Sequence, residues 1–419
     1  MINGEKMIIG YDLSYRYAQI SYCRIGADTL QTYAPADKAR QFNIPLTLFK
    51  RNSVNQWFLG REALAAKEQE EGCFLDDLFM QALQQEEIRV GEEMFETTAL
   101  LALFIKRSLY LPGKECRMEK AAGIMFTLPV LTEKTVALMQ RLIVLLNLPD
   151  CRIGFQSREE SIYHYIVRQP KEIWRENVLI YDSNAEEITA YRFKMNRNTR
   201  PVVAFVEEKV LGRIYGEEEQ KDSLFAQMVK ESAESSDACV FLLGEGFHGE
   251  WTQDSLRLLC HNRRVFKGND LYSKGACFGM QEKLADKKQA QMIFLSKDKL
   301  HTNVGMQVMR ASEESYLAIL DGGENWYDAS KEWDIILTQG NELVFRLTPL
   351  DGRNIRNVEV VLDELPKRRS KMTRLHLQAS MKSNTVMEVE ITDMGFGDFA
   401  QATNMHFIQQ IDLSIGEGR

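Results

Sequence analysis

Two aspartates stand where short apolar runs stop. Val178, Leu179, Ile180 and Tyr181 lead into Asp182, and Met7 to Tyr11 lead into Asp12. Small or polar residues follow each before apolar alternation resumes, so both read as β-hairpins with a carboxylate where the first strand runs out. Such an aspartate caps its own turn through an Asx-type hydrogen bond on the simplest reading. Gly244-Glu245-Gly246 closes another apolar run, Ala238 to Leu243. Glycines there suit a phosphate near a helix N-terminus, and they suit a tight turn equally well. The six histidines show no metal-ligand spacing, and Cys260-His261 reads as a helix end rather than a zinc site. G-x-S-x-G, H-E-x-x-H and P-loop patterns do not occur. Candidate partner contacts are the basic residues Lys367, Arg368 and Arg369 and the aromatics Trp326, Tyr327 and Trp333. A solvated loop is the plainer reading of the basic group, and for the aromatics a packed core and an exposed anchor stand equal.

The elements around these residues alternate between strand and helix over the first two thirds of the chain. Ile44 to Phe49 and Gln56 to Leu59 read as strands, and Arg61 to about Glu71 as a helix. Glu92 to Leu109 reads as a core helix, with Met94, Leu101, Phe104 and Ile105 among its apolar positions. Ala122 to Thr127 is a buried-type strand, and Thr132 to Leu146 places Val136, Met139, Ile143 and Leu146 on one helical face. Ser157-Arg158-Glu159-Glu160 fits a capping box, with Ser157 as the cap. From Pro201 to Asp237 the chain is polar, with one helix expected near Leu224 to Glu234. Leu271 to Met280 is a helix rich in small residues, and 281–292 reads as a linker or a final helix. Beyond Met292, short alternating segments separated by turns predict an all-β sandwich over 293–415.

Composition narrows the function classes. A net charge of −8 argues against a general nucleic-acid binder. The longest apolar windows, Ala99 to Ile105 and Leu142 to Leu148, are too short to span a bilayer. Seven scattered cysteines without a C-x-x-C pair predict reduced thiols in a cytoplasmic protein.

Taken in order, these stretches resemble the actin, sugar-kinase and heat-shock-chaperone superfamily, most closely its DnaK-like chaperones. Met7 to Cys23 looks like the first phosphate hairpin, and Val178 to Phe193 stands where the second belongs. Gly123 to Val167 resembles the strands and helices that link two lobes. Ala238 to Met280, with L-L-G-E-G-F and G-N-D-L-Y-S-K-G-A, is similar to the adenosine motif and the helix after it. Leu362 to Asp393 resembles the second half of the chaperone's substrate-binding sandwich. The resemblance implies a duplicated, ribonuclease H-like α/β fold with an actin-like lobe over 1–170 and a reduced second lobe over 171–280. The linker and a β-sandwich without a helical lid would complete it. It also implies that Asp12, Ser14, Tyr15, Asp182, Ser183, Asn184, Gly244, Gly246 and Lys274 would surround a nucleotide, with Mg²⁺ held by Asp12 and Asp182 through water.

The departures from that pattern carry the functional expectation. Phosphate hairpins need small residues so that backbone N–H groups approach the oxygens. Here Ser14, Tyr15, Arg16 and Tyr17 follow the first aspartate, and Ser183, Asn184, Ala185 and two glutamates follow the second. The interval from Asp182 to Cys239 is also short for a lobe that clamps adenine. The chain is therefore expected to be a pseudo-ATPase of a divergent bacterial subfamily. It would be a non-catalytic scaffold whose β-domain binds a peptide or protein, with no cofactor, no nucleic acid and no membrane span. Two alternatives stand beside it: a divergent ATPase using ATP and Mg²⁺, and a bacterial actin-like structural scaffold.

Overall fold

In the computed structural model, residues 6–27, 29–35, 42–52, 56–184, 187–199, 201–285 and 292–414 are described. The chain divides into two compact units, Met1–Phe294 and Leu295–Arg419.

The first unit is mixed α/β and contains two six-stranded sheets built to one plan. In the first sheet, Met7–Leu13 pairs antiparallel with Tyr17–Arg24 and parallel with Ala121–Leu128, which in turn pairs parallel with Arg152–Ser157. In the second, Asn177–Asn184 pairs antiparallel with Glu187–Asn196 and parallel with Asp237–Leu243, which pairs parallel with Arg264–Lys267. The register repeats as well: Asp12 faces Gln19 and Thr127, and Asp182 faces Thr189 and Leu243. Parallel neighbours require a crossover. The helices Glu133–Leu146 and Gln253–Leu259 provide one for each sheet. Every residue of Met7–Leu13 is buried, as expected of a strand covered on both faces.

Two helices join the sheets. Arg158–Val167, here called the junction helix, is capped by the Ser157 hydroxyl, which accepts from the Glu160 N–H at 3.3 Å. Nearly all of it is buried; Ile162, Tyr163 and Ile166 pack with Val178, Ile180 and Phe193 of the second sheet. The helix Leu271–Leu284 lies against the junction helix and both sheets. Its Leu271 and Tyr272 pack with the second sheet, and Ala276, Cys277 and Met280 with Ile8 and Met125 of the first. Small residues permit this approach: a Cβ on Gly10 would lie 1.9 Å from the Ser273 carbonyl oxygen. Hydroxyls then bond across the contact, Ser21 to Ser273 at 2.7 Å and Thr127 to Ser161 at 2.6 Å.

The second unit is strand-rich, with two four-stranded antiparallel sheets. One runs Glu313–Leu320, Thr302–Arg310, Glu342–Pro349, Arg356–Val361, and the other Ser330–Leu337, Thr373–Met381, Val386–Asp398, His406–Asp412. Alternate residues such as Leu343, Phe345 and Leu347, or Leu375 and Leu377, are buried. Among the described residues no helix is long and apolar enough to cross a membrane.

Several expectations need correction. The helix predicted over Glu92 to Leu109 begins only at Thr97, because Glu93–Glu96 forms a hairpin with Glu87–Val90 and leaves Met94 exposed. The stretch expected to be polar after Pro201 contains a 12-residue strand, Val202–Arg213, which opens on the apolar run Val202 to Val206 and then runs exposed through Glu207, Glu208, Lys209 and Val210. The supposed linker starts inside a helix that continues to Leu284, and residues 286–291 lie outside the described set. Met292–Leu295 joins the second sheet beside Val202–Arg213, so Ile293 and Phe294 belong to the α/β unit rather than to the β unit. Ser330–Leu337 and His406–Asp412 are strands that the sequence reading passed over.

Because Gly10 meets helix backbone, Gly10→Val should not be absorbed by a side-chain shift. The expected loss is at least about 2–3 kcal/mol in chemical denaturation, the scale of an overpacked core. Gly268→Ala, with open space around the added carbon, should cost under about 1 kcal/mol.

Candidate functional site

The two hairpins bring Asp12 and Asp182 within electrostatic reach of each other, and a cation from the protein itself pairs with Asp182 there. Arg158, the first residue of the junction helix, is 6% exposed. Its Nη1 donates to Asp182 Oδ2 at 3.2 Å and its Nη2 to Ser14 Oγ at 3.4 Å. The guanidinium lies 4.8 Å from the centre of the Tyr272 ring, whose hydroxyl donates to the same Asp182 oxygen at 2.8 Å. Tyr17 hydrogen-bonds Ser14 through its hydroxyl, which is enclosed even though the residue as a whole is half-buried. The arrangement is an arginine held by one carboxylate, one serine and one aromatic face.

Asp12 is fully buried, and neither carboxylate oxygen has a hydrogen-bond partner. Burial, countered by Arg158 and reinforced by Asp182, pushes its pKa up to about 7. Burial also works against the charge on Arg158, yet Asp182 and the surrounding tyrosines raise its pKa well above the usual value. Tyr272 is raised by burial first and by Asp182 second, which keeps it a hydrogen-bond donor. The cluster is thus a closed set of protein groups.

Local backbone geometry closes it further. The Ser14 N–H donates to the Tyr17 carbonyl at 2.9 Å, completing the hairpin's own turn. Gly244, at φ +92°, lets the end of its strand press against the second hairpin. A Cβ there would lie 2.1 Å from the Ser183 carbonyl oxygen and 2.9 Å from Asp182 Oδ1. Asn43 and Glu245 bond through their side chains, tying the first lobe's edge to the turn that follows Gly244.

Of the nine residues expected around a nucleotide, the structure gathers Asp12, Ser14, Asp182, Ser183 and Gly244. Tyr15 is turned onto Phe79, with ring centres 5.7 Å apart. Gly246 offers its carbonyl to the Trp251 indole at 3.0 Å as part of a short turn. Lys274 pairs with Asp270 one helical turn away at 2.9 Å. Asn184 ends its strand opposite Glu187, and its side chain lies outside what is described. Glu186, one of the two glutamates thought to repel phosphate, lies outside the described residues. Among the described residues no group of three or more His, Cys, Asp or Glu could hold a metal ion.

The partner candidates separate similarly. Trp326 is 5% exposed and belongs to the core of the β unit, with Tyr327 edge-on at 5.6 Å, so its expected role as a surface anchor is corrected. Arg368 is also structural: it grips Asp393 with two bonds of 2.6 and 2.7 Å and donates to the Gln401 carbonyl. The Asp393 carboxyl is held far below the usual range by Arg368 first, with help from Thr403 and Gly395. Lys367 and Arg369 are exposed. Trp333 is half-buried and lines a cleft of about 810 Å³ with Met306, Val308, Leu317, Ile335 and Leu343.

Sequence reading missed Arg158, Tyr17 and Tyr272 as members of one cluster. Arg158 gave a signal, since a cation in the first turn of a helix opposes the macrodipole and needs a carboxylate nearby. Its place inside a capping box made it look like a solvent-facing filler.

A two-sheet α/β unit with a buried arginine paired to one of two neighbouring aspartates, followed by a β unit, is the class of protein described. The chain belongs to the family of unknown function DUF5716, whose C-terminal model matches residues 29–297. A domain of unknown function, DUF8552, matches residues 299–413. No curated protein matches the chain.

Two outcomes follow from the electrostatics. Arg158→Ala leaves Asp182 buried beside Asp12 without its cation and should cost about 3–5 kcal/mol in urea unfolding at pH 7. Asp12 binds its proton more tightly folded than unfolded, so its contribution to stability falls as pH rises from about 4 to about 7. Asp12→Asn should flatten that part of the profile and be more stable than wild type at pH 8, by about 2–4 kcal/mol at most.

Proposed function

We propose that this chain is a divergent relative of the actin-like and heat-shock-chaperone fold whose nucleotide site has been filled by its own side chains. The α/β unit acts as a non-catalytic scaffold, and the β unit captures an extended segment of a peptide or protein partner in the cytoplasm. The observation that carries the reading is Arg158, whose guanidinium pairs with Asp182 and lies within electrostatic reach of Asp12, so that a protein cation serves the carboxylates a metal–phosphate group would otherwise need. Three further features support it. The sheets repeat one connectivity, with an aspartate at the same register point in each hairpin. The Ser14 N–H is spent on its own turn. Only Val202–Arg213, Glu218–Ser232 and their connections intervene between the second hairpin and Asp237–Leu243, which leaves little chain to clamp a base.

The capture half of the proposal rests on the cleft in the β unit. Ser330–Leu337 is an edge strand, and its Trp333, Ile335 and Leu337 face the cleft while remaining half-buried. An edge strand beside a cleft lined by both apolar and charged residues suits an extended segment that contributes main-chain hydrogen bonds and alternate apolar side chains.

Calorimetric and thermal titration with ATP, ADP and Mg²⁺ tests the first half. A ligand that binds the native state at a hundred times its Kd stabilises by about 2.7 kcal/mol. The expected result is no shift at millimolar nucleotide. Magnesium-dependent hydrolysis abolished by Asp12→Ala would overturn the reading in favour of the divergent ATPase. For the second half, the probes are fluorescent peptides with apolar residues at alternate positions. Trp333→Ala or Ile335→Asp should weaken their binding about tenfold or more. Unchanged binding in both variants would move capture away from this cleft.

A further inference from the structure

All seven cysteines are free thiols, and two of them meet. Cys23 lies near the end of the strand Tyr17–Arg24, and Cys277 lies midway along the helix Leu271–Leu284. Both belong to the small buried cluster with Ile8, Met125, Ala276 and Met280. Their side chains are hydrogen-bonded to each other. Cys277 Sγ is also 3.2 Å from the Ser21 carbonyl oxygen, and the Gln281 side-chain amide donates to Cys23 Sγ at 3.4 Å.

These contacts make the two thiols unlike. The Cys277 thiol, and after it the Gln281 amide, hold the Cys23 pKa below the ordinary thiol value despite burial. Burial, and then Cys23 itself, hold Cys277 well above it. Two buried thiols in contact, one of them also accepting from a side-chain amide, are the pairing that an attacking and a resolving sulfur require. Cys23 is buried at 4% exposure, one residue from the exposed Arg24, so only a small oxidant could reach it. Cys116 is a third buried thiol within electrostatic reach of Cys23, and burial, with Cys23 second, pushes it up to about 12.

We propose that Cys23 and Cys277 form a reversible disulfide when the protein meets hydrogen peroxide, fastening the first hairpin to the helix Leu271–Leu284. The Cys23 thiolate attacks one peroxide oxygen; the O–O bond breaks, the departing hydroxide takes up a proton, and Cys23 becomes a sulfenic acid. The Cys277 sulfur then attacks Cys23, the S–O bond breaks, and hydroxide leaves as water with the Cys277 proton. Two electrons pass from the two sulfurs to the peroxide. The bond would tie together the elements that carry Asp12 and Tyr272, so the thiol state bears on how firmly the arginine cluster is held.

The test is peroxide treatment of the full chain, alkylation of remaining thiols, and peptide mass mapping without reduction. The expected product is a Cys23–Cys277 cross-linked peptide, retained in Cys116→Ser, lost in Cys23→Ser and Cys277→Ser, and reversed by dithiothreitol. Wild-type Tm should rise by about 5 °C or more on oxidation, because the bond closes a very long loop. The wild-type map alone decides the matter if a serine variant fails to fold. A Cys23–Cys116 bond would overturn the proposal, as would Cys23 oxidised to sulfinic acid with Cys277 free. Reaction confined to Cys73, Cys151 and Cys260, or no reaction, would overturn it equally.

Discussion

A guanidinium removed from water must be matched by carboxylate and hydrogen-bond acceptors, or the fold loses several kcal/mol. Arg158 sets that condition for the α/β unit. Its position at the first turn of the junction helix fixes where that helix starts, and Asp182, Ser14 and Tyr272 bring three other elements to it. The charge balance is also tight. Asp182 accepts from both Arg158 and Tyr272, whereas Asp12 lies nearby with no hydrogen-bond partner and with its pKa raised by burial. One cation facing two carboxylates is stable near neutrality when one carboxylate readily takes a proton.

Everything that closes around this cluster depends on backbones coming near one another. The helix Leu271–Leu284 reaches both sheets because Gly10 has no side chain to hold it off. The Ser21–Ser273 and Thr127–Ser161 bonds then satisfy polar groups that such a close contact leaves without water. Tyr272 is delivered to Asp182 by the same helix, so apolar packing and site electrostatics share one element. The β unit is built on a different principle. Its sheets alternate buried and exposed positions, and the half-buried inner residues of Ser330–Leu337 leave an apolar cleft.

The hairpins were legible in the sequence because an apolar run ending in Tyr-Asp is a local pattern, and both strands bury every position around it. The capping box at Ser157 and the strand Ala121–Leu128 were legible for the same reason. Val202–Arg213 was not, since its second half, Glu207 to Arg213, is rich in charge and mostly exposed and carries the signature of a loop. Met292–Leu295 could be seen as a strand, but its sheet is chosen by tertiary pairing that no local pattern records. At the site, the aspartates were legible and their partner was not. Arg158, Tyr17 and Tyr272 come from three separate stretches, and only the folded chain places them on one carboxylate pair. Arg368 and Trp326 show the reverse error, in which a charge or a ring that looks available is already committed to Asp393 or to the core.

The central claim is that Arg158 serves as the internal cation for the paired hairpins. A double-mutant cycle on unfolding free energy, with Arg158→Met, Asp182→Asn and the pair, measures it directly. The account predicts a coupling energy of about 2–3 kcal/mol at pH 7, with the double variant more stable than the sum of the single losses implies. Additive effects of the two substitutions would contradict it, and would mean that the arginine and the aspartate are buried side by side without depending on each other.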